Sequence, residues 1–268
     1  MLKLGLDIGG STTKVVGFED EKIVGTTLVT AGDPVTAAYG AVGRFLHDEE
    51  KSLSDIASLH ATGVGLSFLD ETLHDIPIQP VDEFTALAVG ARFLSQTASC
   101  LAVSVGTGTT FVAARPEGAK HIIGSGVGGG TLLGLSYAML ETRDWNMIDA
   151  LAMQGDYQAV DLTIQDLSQK PIPGLTAEAT AANFGKLNDS SRREDLAAAI
   201  VNMVYQTVGI IAVSSARQEK LSPIVFTGNA SLLKSAQRTL NAVSELYDYP
   251  FVFPKLAAYA TAIGAVHA

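Results

Sequence analysis

The chain carries one short plan twice, and that repetition limits its architecture more than any other feature. Residues 4–18 read LGLDIGGSTTKVVGF and residues 101–115 read LAVSVGTGTTFVAAR. In each, an apolar run ends at a small-residue turn and a second apolar run leaves it, the pattern of strand, tight loop, strand. Leu4 matches Leu101, Ile8 matches Val105, Gly9 matches Gly106, and Thr12-Thr13 match Thr109-Thr110. Either copy alone reads equally well as an ordinary hairpin. Coincidence would have to strike twice, so the pair predicts a duplicated α/β architecture of two lobes, each presenting one loop to a common cleft. The chemistry of the loops suits an anion. Gly9 and Gly10 let backbone N–H groups approach it closely, and Ser11, Thr12, Thr13 and Lys14 can reach phosphate oxygens. Asp7, at the strand end, can hold a Mg²⁺ through water.

Charge and cysteine content narrow the classes. The 268 residues carry a formal net charge of −10, which argues against a nucleic-acid or anionic-membrane binder but leaves room for local phosphate sites built from N–H groups and one or two cations. The one cysteine, Cys100, permits neither an intrachain disulfide nor a thiolate cluster, and it heads an apolar run where a buried structural role is expected. The chain starts directly with a strand, without an N-terminal signal, and no apolar run reads as long enough to span a bilayer. These features predict a soluble, cytoplasmic protein.

Along the chain, Asp33-Pro34 opens a helix to about Leu46, strands are expected at 59–64 and 76–81, and Asp82-Glu83 then begins a helix over 84–94. That acidic pair sits where open α/β sheets place ligands, but acids at a helix start also simply cap it. After the second loop, a short strand is expected at His121 to Ile123. Gly124 to Thr131 is a second glycine-rich loop feeding an apolar helix, Leu132 to Leu140. Such a helix start offers unpaired N–H groups and a positive dipole end to phosphate or adenosine. Trp145 reads either as helix packing or as a ring near a ligand. Residues 149–165 read as helices with charged turns, and Lys170-Pro171-Ile172-Pro173-Gly174 breaks them. Arg193 to Lys220 is the longest helical signal, with Leu196, Ile200, Val204, Val208 and Ile211 on one stripe. It is either the core of the second lobe or part of a dimer face. A strand to Thr227 ends in Gly228-Asn229, a helix follows over 231–246, and a small-residue helix, Ala257 to Val266, closes the chain.

Asp7 to Lys14 followed by Gly106-Thr107-Gly108-Thr109-Thr110 resembles the actin and sugar-kinase ATPase superfamily, and within it the type II pantothenate kinases. Glu83-Phe84, Gly128-Gly129-Gly130-Thr131, Pro171-Ile172-Pro173-Gly174 and Ala181-Ala182-Asn183-Phe184-Gly185 occur in that family's order and span nearly the whole chain. The resemblance implies two RNase H-like lobes of mixed β-sheet flanked by helices, an actin-like ATPase fold with a nucleotide cleft between them. It places residues 1–98 in the first lobe and 99–268 in the second. It implies ATP and Mg²⁺, pantothenate as the phosphoryl acceptor, a cytoplasmic homodimer, and no nucleic-acid or membrane partner. Glu83 falls on the family's general base. Asp7, Ile8, Gly9, Gly10, Ser11, Thr12, Thr13, Lys14, Thr107, Gly108, Thr109, Gly129, Gly130, Thr131, Leu132, Leu133, Trp145 and Asn229 fall on the ATP site, with Asp7 in the metal's water shell. His121 and Tyr259 fall at the acceptor. One departure stands out: His121, beside Lys120, occupies a place that usually holds arginine, and histidine lacks arginine's reach and bidentate fork. Other small-molecule kinases of the superfamily, and acceptor-less ATP-hydrolysing switches, are the alternatives. Zinc-bearing sugar kinases and iron–sulfur activators need cysteines this chain lacks.

Overall fold

The computed structural model describes residues 1–10, 12–30, 32–170 and 172–268. In chain order the elements are β1 (Leu2–Ile8), β2 (Thr13–Glu19), β3 (Lys22–Val29), α1 (Pro34–Asp48), β4 (Ile56–Thr62), β5 (Thr72–Leu73), β6 (Ile76–Pro80), α2 (Glu83–Ser95), β7 (Cys100–Val105), β8 (Thr109–Arg115), β9 (Gly118–Ser125), α3 (Gly129–Leu140), α4 (Trp145–Gln154), β10 (Leu162–Thr163), α5 (Ile164–Leu167), β11 (Thr180–Ala182), α6 (Arg193–Glu219), β12 (Ile224–Thr227), α7 (Lys234–Tyr247), β13 (Phe251–Val252) and α8 (Ala260–His267).

The duplication seen in the sequence is a duplication of topology. The first sheet has the order β3-β2-β1-β4-β6-β5, and the second has β13-β12-β7-β8-β9. Read from the meander outward, 3-2-1-4-6 and 9-8-7-12-13 are the same path. In the first sheet β1 pairs antiparallel with β2 and parallel with β4, and β4 pairs parallel with β6. Both are mixed sheets with helices in attendance, as expected. β6, with its two prolines, lies one short strand from the sheet edge, where missing N–H donors cost least.

The chain divides into two compact units, residues 1–102, 112–122 and 254–268 in the first, and 103–111 and 123–253 in the second. The closing helix α8, which the 1–98 and 99–268 division put with the second lobe, thus packs in the first unit. Leu2, Leu4, Leu6 and Ile8 of β1 and Val15 of β2 meet Ala38, Ala41, Val42 and Phe45 of α1 in one core. Their strand neighbours Val16 and Phe18 point the other way, against Ala262, Ile263 and Val266 of α8, as two-residue alternation requires. α1 begins as its sequence dictates: Asp33 accepts a hydrogen bond from the Thr36 N–H at 2.7 Å and Pro34 takes the first position.

In the second unit the 27-residue α6 is the organising element, and it corrects one expectation. By length and composition it is apolar enough to cross a bilayer. However, 67% of its most apolar window is buried inside the protein, where it packs against α3, α4 and α7. Two of its buried polar groups have partners there: Asp195 accepts from the Asp156 N–H at 2.9 Å, and Asn202 belongs to a network described below. Of the expected stripe, Ile200, Val204 and Val208 are buried, while Leu196 and Ile211 are partly covered.

Three boundaries also move. β9 runs from Gly118 to Ser125 rather than 121–123, because most of its residues are exposed and give little apolar signal. Residues 162–163 form β10, paired with β11, where helix was expected. α7 begins at Lys234 after a 3₁₀ turn; Asp149 of α4 accepts from the Ser235 N–H at 2.8 Å and from its hydroxyl, a helix cap supplied from a distant segment.

Candidate active site

In the first unit the loop after β1 is a tight turn, with the Gly9 N–H donating to the Thr12 carbonyl at 3.0 Å. Asp7 and Lys14 are register partners across β1 and β2. The Lys14 ammonium lies 2.9 Å from Asp7 Oδ2, with both side chains only about a tenth exposed. Lys14 therefore holds Asp7, and the pair sets one fixed carboxylate at the loop's base. The reading of Thr13 as a phosphate ligand is corrected: its side chain is fully buried. Strand alternation turns it inward with Ile8, opposite to Lys14. Ile8 is also fully buried, so only its backbone is available to a ligand. Gly10 is exposed and Thr12 half-buried. Ser11 lies outside the described residues.

Asp82 and Glu83 divide their roles. Asp82 is the N-cap of α2, accepting from the Thr85 N–H at 2.9 Å and from the Thr85 hydroxyl at 3.0 Å. Glu83, the first helical residue, is released from capping. Its carboxyl is pushed above the ordinary range, first by desolvation, then by the negative charges of Asp7 and Asp82, with Lys14 opposing. Glu83 thus shares one electrostatic neighbourhood with the Asp7–Lys14 pair. The next side chain, Phe84, stacks on His121 of β9, ring centroids 4.6 Å apart and planes within 22°. The sequence singled out His121 but held no signal for this stack. Tyr259, at the start of α8, is partly buried against the Val16–Phe18 cluster.

The two glycine-rich loops of the second unit interlock. The Gly129 N–H donates to the Gly106 carbonyl and the Gly130 N–H to the Thr107 carbonyl, both at 2.8 Å. The Thr109 hydroxyl donates to the Val127 carbonyl at 2.8 Å and the Thr131 hydroxyl to the Gly126 carbonyl at 2.9 Å. This corrects the expectation that the helix start offers unpaired donors: at Gly129 and Gly130 they are spent on the neighbouring loop. The helix also begins at Gly129, inside the glycine run, rather than at Leu132. The glycines are there because backbone packs on backbone; a Cβ at Gly128 would lie 2.7 Å from the Gly108 carbonyl carbon, and one at Gly129 2.7 Å from the Gly106 oxygen. Trp145 closes on the same spot, its ring 3.0 Å from that Gly129 position, so its packing role is real. Leu132 is buried and Leu133 partly so, whereas Thr107 and Asn229 are exposed. Thr107, Gly108, Asn229 and the loop backbone remain the surfaces a nucleotide could touch.

The Ala181-Ala182-Asn183-Phe184-Gly185 stretch, which had no mechanical role in the sequence, wraps a buried carboxylate. Asp161, fully buried, accepts from the Phe184 N–H at 2.8 Å, Asn183 Nδ2 at 3.2 Å and Asn202 Nδ2 at 2.8 Å. Burial raises its pKa, against the lowering effect of these donors. Asp161→Asn replaces an acceptor by an amide facing donors. We expect it to cost about 1–3 kcal/mol, read as a lower melting temperature. Cys100 is buried as expected, its thiol pushed up to about 11 chiefly by desolvation.

Comparison with known proteins bears on the family and the fold. The Fumble family profile matches residues 39–267. A type II pantothenate kinase of Oceanobacillus iheyensis is 30% identical over 275 residues, covering 99% of each chain. One of Staphylococcus aureus is 26% identical, again with 99% coverage of each. Among solved structures, the activator of 2-hydroxyisocaproyl-CoA dehydratase from Clostridium difficile, with bound ADPNP, superposes with a TM-score of 0.72 at 18% identity, covering 99% of this chain and 93% of that one. A ROK family glucokinase from Streptomyces griseus with glucose and AMPPNP gives 0.64 at 12% identity, covering 100% and 98%. These structures bear out the actin-like ATPase fold.

Proposed function

The chain belongs to the Fumble family, and on that premise we propose that it transfers the γ-phosphoryl group of ATP to the primary hydroxyl of pantothenate, giving 4′-phosphopantothenate and ADP. The observation that supports this reading is Glu83: a carboxyl freed from capping by Asp82 and raised by desolvation first, then by the charges of Asp7 and Asp82.

Phosphoryl transfer asks for alignment, charge neutralisation and a base near the attacking oxygen. Glu83 takes the hydroxyl proton as the oxygen attacks the γ-phosphorus, and the bond to the β–γ bridging oxygen breaks, leaving ADP. Raised basicity suits Glu83 to this step. Lys14 and the backbone of Gly9, Gly10 and Thr12 meet phosphate oxygens, and the pair of loops around Thr107 and Gly108 holds the nucleotide. Mg²⁺ fits the donor set: it is ordinarily held by one or two carboxylates and retained waters, and Asp7, with Oδ2 engaged by Lys14, offers one carboxylate to its water shell. When bound, the ion neutralises phosphate charge. His121 and Tyr259 contact the acceptor, with His121 standing where the family resemblance led us to expect arginine. A cytoplasmic homodimer belongs to the same proposal.

The test is ADP release from Mg²⁺-ATP with and without pantothenate. Release that depends on pantothenate and yields a phosphomonoester is expected. Slow release indifferent to pantothenate would overturn the acceptor assignment and direct attention to other alcohols, with His121 as the residue to vary.

A further inference from the structure

We infer that the second unit holds a separate binding site for a small organic cation, an ammonium or guanidinium on a short aliphatic stem. The site is a cavity of about 340 Å³ walled by α6, α7 and the segment around β11. That volume falls in the range of small-molecule sites. None of the residues proposed for phosphoryl transfer lines it, and the inference does not depend on the pantothenate reading.

Its floor is built by the buried network. Asn202 is only 6% exposed. Its amide nitrogen donates to Asp161 Oδ2 at 2.8 Å and to Thr180 Oγ1 at 2.9 Å. With both amide hydrogens committed, the orientation of the side chain is fixed and its carbonyl oxygen is the group left to the cavity it lines. Gln206, one turn along α6, stands beside it. Glu178 and Glu245, both exposed, are the acidic residues of its lining, and no lysine, arginine or histidine lines the cavity among the described residues. Tyr157 ties the rim together, its hydroxyl donating to the Glu178 carbonyl at 3.2 Å.

On the Tyr157 side the surroundings are electronegative, while on the far side Glu245 also borders a groove lined by Lys234 and Arg238. Tyr157 is raised by desolvation and then by Asp156, Asp161 and Glu178, against the single opposing charge of Arg238. Arg238 is engaged elsewhere, donating to the Ala152 carbonyl at 2.6 Å. Acceptors at the floor, acidic residues in the lining and aliphatic walls from Ala242, Val243 and Leu246 together match a donor-bearing cation with a short apolar stem. An anion would meet like charge, and an uncharged apolar group would leave the Asn202 oxygen without a partner.

The experiment is calorimetric titration of the full chain at low ionic strength with agmatine, and with glutarate as an anion of similar length. Saturable one-to-one binding of agmatine and none of glutarate is expected. The Glu178→Gln, Glu245→Gln double variant should weaken agmatine about three- to tenfold, as loss of two partly exposed charge pairs would. Glu71→Gln, in the first unit, should leave it unchanged. Gln206→Leu carries the same test should the double variant fail to fold, and it too should weaken binding. Absence of saturable heat, equal binding of glutarate, or a dissociation constant indifferent to these variants would overturn the site.

Discussion

Glutamine at position 83 is expected to lower pantothenate-dependent ADP release about 10²–10⁴-fold, with the dissociation constant for the nucleotide nearly unchanged. Burial and the neighbouring Asp7 and Asp82 charges raise the Glu83 carboxyl, and only its deprotonated form accepts the hydroxyl proton. The acid limb of kcat/KM should therefore lie above the ordinary carboxylate range. Activity falls as pH drops through it, and glutamine removes that limb. The sign for stability is opposite to the sign for rate. A carboxyl raised in the folded state favours the neutral form there, so its ionisation at neutral pH opposes folding, and glutamine relieves this cost. The variant should melt no lower than the parent at pH 7. An inactive but equally stable protein identifies lost chemistry rather than lost structure. Paired pH–rate profiles and thermal melts check both signs, and a variant that keeps its turnover would remove Glu83 from the mechanism.

What the sequence revealed and what it hid follow from distance along the chain. The repeated strand–loop–strand plan is local, and it reappears as two sheets with the same strand order. The capping by Asp82 is also local, because an N-cap and the N–H it serves are three residues apart. Thr13 misled because a hydroxyl in a glycine-rich loop looks available, while strand alternation had already assigned it to the interior beside Ile8. Thr109 and Thr131 carry hydroxyls that donate to loop carbonyls, partners of which the sequence holds no sign. The network on Asp161 was invisible because its donors come from Asn183, Phe184 and Asn202, on separate elements. Its neighbours in sequence carry no trace of that convergence. The membership of α8 in the first unit was hidden for the same reason, since a helix of small residues records that it packs closely but not against what.

That helix supports the largest expected effect on stability. α2 and α8 cross at Gly90 and Gly264, and a Cβ at Gly264 would collide with the Ala86 carbonyl oxygen, one at Gly90 with the Ala260 carbonyl oxygen. The obstruction is helix backbone on both sides, so no side chain can swing away to relieve it. Gly264→Ala must separate the helices, leaving a gap along the contact between α8 and the Val16–Phe18 face of the sheet. We expect a loss of about 3 kcal/mol or more, the upper range for overpacking a dense core. For a chain of this size that lowers the melting temperature by roughly 6–12 °C. Helix propensity alone predicts the reverse, a gain of about 1 kcal/mol for alanine over glycine. Gly40 of α1 separates the two effects: it is exposed on a helix of the same unit, and a Cβ there meets nothing within 4 Å. Gly40→Ala should therefore raise the melting temperature while Gly264→Ala lowers it. Because α2 begins at Glu83, the wedge at Gly264 should also reduce turnover in the protein that remains folded, whereas Gly40→Ala should not. If both substitutions stabilise, the α2–α8 crossing is looser than these positions require, and α8 is not what holds the Glu83 helix in place.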